Sequence, residues 1–327
     1  MGMELIINTF GTALRVENGI FLVLHPDGKQ PIHPEKIKSI LISKGASISS
    51  DAALLAIENE IDVMFVDGTG KPSGRVWGIK YGSVSTIRRK QLDFLYSPKA
   101  VDWVKRLIIQ KIDNQVGLLL ALTTMEKNQE MIMQKAINKL NDYKEKIKKA
   151  DALYLHDIAP GLRGWEGAAS RAYFSTLSAF LPAEYKFDKR SQNPAMDIYN
   201  CLLNYAYGML YGKVEGALIK AGIDPYAGVF HRDEYNRPAL VYDVIELYRI
   251  WADYVVFNLC MQKVIDQDCY SVREDGAYWL ENMGKRILIQ SMNDYLDEVV
   301  NIKSMERSRS THIDLQAYNL AQLFLKS

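Results

Sequence analysis

The chain has 327 residues, enough for two domains or one large one. It is 48% apolar and 24% charged, so it can build a sizeable core, which excludes a disordered chain. The net charge of +1 excludes a generic polyanion binder, so any nucleic-acid surface must come from local segregation of charge.

The three cysteines, Cys201, Cys260 and Cys269, form no C-x-x-C pair, which argues against structural zinc and a disulfide framework and for a reducing compartment. The opening MGMELIINTF lacks a basic segment followed by a long apolar run. No uninterrupted apolar stretch of about 18 residues occurs. A cytoplasmic protein without a membrane span is the expectation.

Read in chain order, the first part is β. ELIINTF is strand-like, and TALRVENGIFLVLHP predicts two strands around a Glu17-Asn18-Gly19 turn, because Asn-Gly favours positive φ. SILIS and IDVMFVD are further strands, and SSDAALLAIENE between them has Ser/Asp cap candidates and helical spacing. Gly68, Gly70, Pro72 and Gly74 mark loops.

From about Ile87 the apolar spacing becomes helical and stays so almost to the end. Breaks are expected at 161–164, 181–193, 222–236 and 273–276. The fold class read from this pattern is α+β. A small N-terminal β-rich domain, 1–86, precedes a larger all-α domain, 87–327.

Charge is segregated at the border. Lys71, Arg75, Lys80, Arg88, Arg89 and Lys90 follow one another without an acid, with Trp77 and Tyr81 interleaved. The stretch suits phosphate contact, and equally a solvated linker. Lys135, Lys139, Lys144, Lys146, Lys148 and Lys149 read as a solvated helix face.

LVYDVIELYRIWADYVVF, residues 240–257, reads as one helix with only a thin polar strip: Asp243, Glu246 and Asp253, with Arg249 beside it. An unpaired buried carboxylate costs several kcal/mol, about 3–5 when a partner is removed, so these acids need partners. One candidate partner is Arg249, in a structural ion-pair network. The alternative is a divalent cation, if the glycine-containing approach AGVFHRDEYNRP folds back and brings His231 onto the helix start. One imidazole with hard carboxylate oxygens suits Mn²⁺ or Mg²⁺ better than structural zinc. A third acid, Glu166 in GLRGWEGAAS, lies among small residues that permit close approach of a helix or ligand. It also fits the positive N-terminus of a helix starting there.

Several fragments then fall in order. They are Gly164-Trp165-Glu166-Gly167 with Tyr173-Phe174, then Arg190 through Pro194 and Asp197 to Asn200 and Leu203-Asn204-Tyr205. Tyr211-Gly212, Gly228-Val229-Phe230-His231 and Asp243 through Glu246 to Arg249 follow. Arg88-Arg89-Lys90-Gln91, Lys111 with Asn114-Gln115, and Gly284-Lys285-Arg286 are further echoes. The ordered set spans nearly the whole chain and resembles the integrase of CRISPR adaptation, the nuclease-like protein that inserts new spacers into CRISPR arrays.

The resemblance implies a metal site of Glu166, His231 and Glu246, with Mg²⁺ or Mn²⁺ as cofactor. Asp243 matches a second acidic position that supports activity, and Tyr211 a tyrosine close to the reacting DNA. The implied reaction is strand transfer, in which a prespacer 3′-hydroxyl attacks a phosphodiester at the CRISPR repeat. Water in place of the hydroxyl gives endonuclease activity. No energy cofactor is implied, and no G-x-x-x-x-G-K-[ST] loop is present. The implied partners are double-stranded DNA, a second copy docked through the β-domains, and a small ferredoxin-like adaptation protein. Arg163, Lys189 and Arg190 join Arg75, Lys80, Arg88 and Arg89 as candidates for DNA contact. Charge selects them, and Arg190 also lies in a matched motif.

The rival readings are a metal-dependent nuclease for branched DNA and a non-catalytic DNA-binding scaffold. A di-iron oxidoreductase is excluded because none of His25, His33, His156, His231 and His312 follows a glutamate by three residues.

Overall fold

The computed structural model describes residues 3–26, 28–66, 72–76, 84–122, 127–231 and 237–326. It divides into two compact units, Met1–Gly82 and Ser83–Ser327, a border slightly N-terminal to the expected one.

The first unit carries strands β1 (Met3–Ile7), β2 (Ala13–Glu17), β3 (Ile20–His25), β4 (Gly28–Ile32), β5 (Ile37–Ser43), β6 (Ser47–Ile48), β7 (Asp62–Val66) and β8 (Pro72–Val76), with helix α1 (Ser50–Glu58). One sheet has the order β1-β5-β7-β8, parallel as far as β7 and antiparallel at β8. The other has the order β4-β3-β2-β6. The β2–β3 hairpin turns at Asn18 and Gly19, with φ of 50° and 76°, as the Asn-Gly pair requires. Ser49 Oγ caps α1 by accepting from the Ala52 amide at 3.2 Å. Leu14, Phe21, Ile40, Ile42, Ala52, Ala56 and Val63 make the core of this unit.

The second unit is mainly helical: α2 (Val84–Leu95), α3 (Pro98–Ala121), α4 (Lys127–Lys149), α5 (Leu155–Phe180), α6 (Ile198–Lys220), α7 (Ala239–Ile245), α8 (Arg249–Met261), α9 (Asn282–Asp297) and α10 (Arg309–Leu325). It is not all-α, because two hairpins interrupt it. They are β9 (Tyr270–Val272) with β10 (Tyr278–Leu280), and β11 (Val299–Ile302) with β12 (Met305–Ser308). Helix α6 is buried along most of its length and packs on α7, α8 and α10, while α3, α4 and α5 pack together. Asp197 caps α6, accepting from the Asn200 amide at 2.7 Å. Gly222, at φ 79°, ends the helix with the paired bonds of a Schellman turn, Gly222 N to Ile219 O and Ile223 N to Leu218 O.

Two boundaries differ from expectation. Helix α5 does not break at Gly161 and Gly164; it runs through both and through Pro160. Pro160 gives up a bond only near the exposed start of the helix, while Ala159, Leu162, Ala169, Tyr173 and Leu177 bury one face. Glu166 therefore sits in mid-helix, not at a helix N-terminus. Among the described residues a side chain at Gly164 would meet no neighbouring atom within 4 Å, so none of them makes a close helix contact that requires this glycine.

The second difference is that 240–257 is two helices. The amides of Glu246, Leu247 and Tyr248 bond three residues back, to Asp243, Val244 and Ile245, which tightens the backbone between α7 and α8. Asn114 Nδ2 donates to the Leu247 carbonyl at 3.0 Å, satisfying an oxygen at the break. No Pro or Gly lies in this stretch, so tertiary packing makes the break.

Asp253 on α8 is almost fully buried and joins three helices. It accepts from Tyr173 of α5 at 2.9 Å and from Tyr207 of α6 at 2.6 Å. Burial pushes its carboxyl up to about 6 against those two hydroxyls. Asp253→Ala is expected to destabilise the helical unit by about 3 kcal/mol by stranding two buried hydroxyls. A urea-unfolding midpoint unchanged from the parent would contradict that structural role.

Candidate active site

The thin acidic strip does not act as one stripe; its three acids serve three different places. Asp253 belongs to the core, as above. Asp243 is completely buried and faces the 222–231 loop. Its Oδ2 accepts from the amides of Val229 (2.7 Å) and Phe230 (3.0 Å). Its Oδ1 accepts from the His231 amide (2.9 Å) and lies 2.7 Å from His231 Nδ1. Asp243 is thus a positioning residue. Its oxygens hold the His231 loop.

An ionised carboxylate only accepts, so Nδ1 carries a proton toward Asp243, and in the neutral form of the ring the lone pair is on Nε2. A carboxylate behind a histidine is a common way of fixing a metal-binding tautomer. His231 is 38% exposed at its side chain, so that nitrogen is within reach of a ligand.

Other residues build the same loop. Gln91 on α2 is fully buried; its Nε2 donates to the carbonyls of Asp224 (2.8 Å) and Ala227 (3.1 Å), and its Oε1 accepts from the Asp224 amide. Arg163 Nη1 donates to the Phe230 carbonyl at 2.8 Å, and its guanidinium lies over the Phe230 ring. A Cβ on Gly228 would stand 2.5 Å from that of Ala239 and 2.9 Å from the His231 carbonyl, so only glycine fits there. Tyr211 on α6 stacks near Tyr242, which in turn neighbours the His231 ring. Burial, then Tyr242 and Glu215, push the Tyr211 phenol well above its ordinary value, so it acts as a neutral hydroxyl.

Glu246 faces the other way. Its Oε2 lies 2.6 Å from Lys111 Nζ of α3, and its Oε1 lies 2.9 Å from Arg249 Nε. The same Lys111 ammonium donates to Glu166 Oε1, which also accepts from Ser170 Oγ at 3.1 Å. Two carboxylates thus share one cation. Burial pushes the Glu246 carboxyl up, but Arg249 and Lys111 outweigh it and hold the group at about 2, with a smaller contribution from His231. For Lys111, burial acts downward and the carboxylates of Glu246 and Glu166 outweigh it, so its pKa is raised.

These groups border a cleft of about 220 Å³, lined also by Gln115, Gly167, Arg190 and Gln192. Gln115 Oε1 is buried and makes no hydrogen bond among the described residues. Arg190 Nη2 donates to Asn204 Oδ1 at 2.8 Å, Nη1 bonds Asn200, and the guanidinium lies near the faces of Phe174 and Tyr207.

Among the described residues no three His, Cys, Asp or Glu side chains converge tightly enough to hold a metal ion. The donor chemistry nonetheless fits a hard divalent cation. Glu166 and Glu246 offer oxygens to a single cation position, His231 offers an imidazole anchored by Asp243 on the loop before α7, and Gln115 adds a buried oxygen without a hydrogen bond among the described residues. Lys111 holds the cation position between the two glutamates.

The remaining candidates for DNA contact have other placements. Arg75 is engaged with Asp62 across β7–β8, its Nε donating to Oδ1 at 3.1 Å. Arg88 and Arg89 lie on α2, Arg89 exposed, and Lys189 is exposed. Lys71, Trp77, Lys80 and Tyr81 lie outside the described residues. Sequence reasoning gave no role to Gln91 and saw Lys111 only as part of a motif. A charge at Lys111 amid the apolar positions Leu107, Ile108 and Ile112 was the available signal.

The family model for CRISPR associated protein Cas1 matches residues 5–294. The CRISPR-associated endonuclease Cas1 1 of Archaeoglobus fulgidus is 32% identical, over 96% of this chain and 94% of that protein. A casposase bound to its integration product has a TM-score of 0.80 at 19% identity, covering 100% of this chain and 91% of that one. A chain of a Cas6-RT-Cas1–Cas2 complex has a TM-score of 0.80 at 22% identity, covering 99% of this chain and 35% of that one. The match to that endonuclease over nearly the whole of both chains, with a cleft lined by carboxylate, ammonium and guanidinium groups, defines an enzyme of the endonuclease class. The chain belongs to the CRISPR-associated Cas1 family.

The depressed Glu246 carboxyl has a pH signature. Its ordinary value is 4.5 and its folded value about 2, so the stability it contributes is fully present above pH 4.5 and lost as pH falls toward 2. Glu246→Gln is expected to remove about 3 kcal/mol of that acid dependence. Urea midpoints of parent and variant measured across this range should converge at the acid end; parallel curves would contradict the assignment.

Proposed function

We propose that the protein is a spacer-acquisition integrase, catalysing divalent-metal-dependent strand transfer with associated endonuclease activity. A prespacer 3′-hydroxyl attacks a phosphodiester at the CRISPR repeat. The observation that supports this best is the pair Glu166 and Glu246 sharing one cation position, with the imidazole of His231, anchored at Nδ1 by Asp243, on the loop that leads into the helix ending at Glu246.

Glu166, His231 and Glu246 are the residues that would hold Mg²⁺ or Mn²⁺. A bound divalent ion there supplies charge neutralisation at the phosphate and stabilises the transition state. The chain's own groups do the rest. Asp243 keeps the His231 proton on Nδ1 and directs Nε2 outward. Arg190, braced by Asn200 and Asn204, presents positive charge to a phosphate in the cleft. Tyr211 offers a neutral hydroxyl on the Tyr242 side of His231. Lys189, Arg88 and Arg89 supply backbone contacts farther along the DNA, together with Lys80. Arg163 and Arg75 already serve Phe230 and Asp62, so any DNA contact they make uses their remaining N–H groups.

The likeness to a casposase bound to its integration product supports DNA as a partner, and that to a Cas6-RT-Cas1–Cas2 complex supports a protein partner, which in this proposal is a small adaptation protein. A homodimer through the β-rich units is part of the same proposal, as is a cytoplasmic location. Among the described residues no helix is long and apolar enough to cross a membrane.

The test is joining of a labelled 3′-hydroxyl duplex to a supercoiled repeat-bearing plasmid in Mg²⁺ or Mn²⁺, with and without the small partner. Joined label is expected, with loss of about 100-fold or more in Glu166→Ala and His231→Ala. Asp243→Asn is expected to lose about 10–100-fold, as removal of a carboxylate behind a ligand does. Metal-dependent cutting without joining, even with the partner present, would replace the integrase by a branched-DNA nuclease. No reaction from folded protein would leave a DNA-binding scaffold.

A further inference from the structure

A lysine on the buried face of a helix requires an explanation. Lys111 is 9% exposed and shares its side of α3 with Leu107, Ile108 and Ile112. Lysine is rarely buried unless paired, and here the pairing is double, to Glu166 and Glu246. With Arg249 on the other Glu246 oxygen, two carboxylates face two cations, so the cluster is neutral.

This arrangement bears on the metal reading above, on which the following rests. The oxygens a divalent ion would take, Glu166 Oε1 and Glu246 Oε2, are the two that the ammonium now holds. An ammonium and a divalent ion cannot occupy one position, because like charges a few ångström apart repel strongly in a poorly solvated site. Yet without some cation, a buried and a half-buried carboxylate would repel each other and their helices would part. The cleft gives the ammonium a place to go: Gln115, one turn along α3 from Lys111, offers the unpartnered Oε1, and Asn114, Ser170 and Gln192 line the same space.

We propose that Lys111 is a resident counter-ion of the metal site. It holds Glu166 and Glu246 together in the metal-free protein and moves into the cleft when a divalent cation replaces it. Lys111 is therefore a positioning residue that lowers metal affinity while preserving the site's shape. A protein whose metal-competent arrangement is a minor state, at about a tenth of the population, binds about tenfold more weakly than its preorganised form. Once displaced, the ammonium lies on the wall that a DNA phosphate would approach.

The test is Mn²⁺ binding by calorimetry to the full-length parent, Lys111→Met and Glu166→Gln, with Lys111 acetylation by an N-hydroxysuccinimide ester read by mass spectrometry. Lys111→Met is expected to bind Mn²⁺ about tenfold more tightly than the parent, a gain that a merely structural lysine would not give. In the parent, Lys111 acetylation is expected to rise on adding Mn²⁺ while that of exposed Lys149 stays constant. If Lys111→Met binds no more tightly while Glu166→Gln loses Mn²⁺, the counter-ion role is overturned and the metal site stands. If Glu166→Gln binds Mn²⁺ as the parent does, the metal reading itself falls, and this inference with it. Should Lys111→Met fail to fold, acetylation of the parent decides: no rise with Mn²⁺ overturns the proposal.

Discussion

Four charges, two buried and two half-buried, meet where α3, α5 and the α7–α8 junction come together, and they constrain much of the helical unit. Lys111, Glu166, Glu246 and Arg249 are each tolerable there only because the others are present. Their neutrality lets a polar cleft exist inside an otherwise apolar helical core. It also ties three separate parts of the chain to one point. The break between α7 and α8 serves the same arrangement: it lets Asp243 turn to the His231 loop while Glu246 turns to Lys111. Asp253, one helix further on, repeats the logic with two tyrosine hydroxyls in place of cations.

The loop that carries His231 is built by side chains remote in sequence. Gln91 holds its beginning, Arg163 its end, and Asp243 the last three amides and the ring itself. Gly228 lets the loop pass against Ala239. An irregular segment held from three sides gives a rigid imidazole, which is what preorganised chemistry requires. Here the polar residues around the site, more than its candidate ligands, determine its geometry.

Much of this was legible in the residues. Positive φ at Asn-Gly, period-two strands and period-three-to-four helices gave the β-rich and helical units. Acids in an apolar helix marked a site, and the order of motifs pointed to the family before any comparison. The failures have physical causes. Local breaker rules ended α5 at its glycines, whereas burial of one face of that helix outweighs the weak propensity of a few residues. Helical spacing put Asp243, Glu246 and Asp253 on one stripe, but a backbone tightening without Pro or Gly has no sequence signature. Charge marked Arg75 and Arg163 as candidates for DNA contact; that they also reach Asp62 and the Phe230 carbonyl, 13 and 67 residues away, has no local signature.

The sequence by itself therefore determined the kinds of groups present, the alternation of secondary structure and the family pattern, because these depend on residue type and short spacing. Only the tertiary structure decided which acid faces which cation, which nitrogen of His231 is tied down, and that Lys111 stands between the two glutamates. Such pairings depend on electrostatic and hydrogen-bond partners brought together from distant helices, and no local period encodes them.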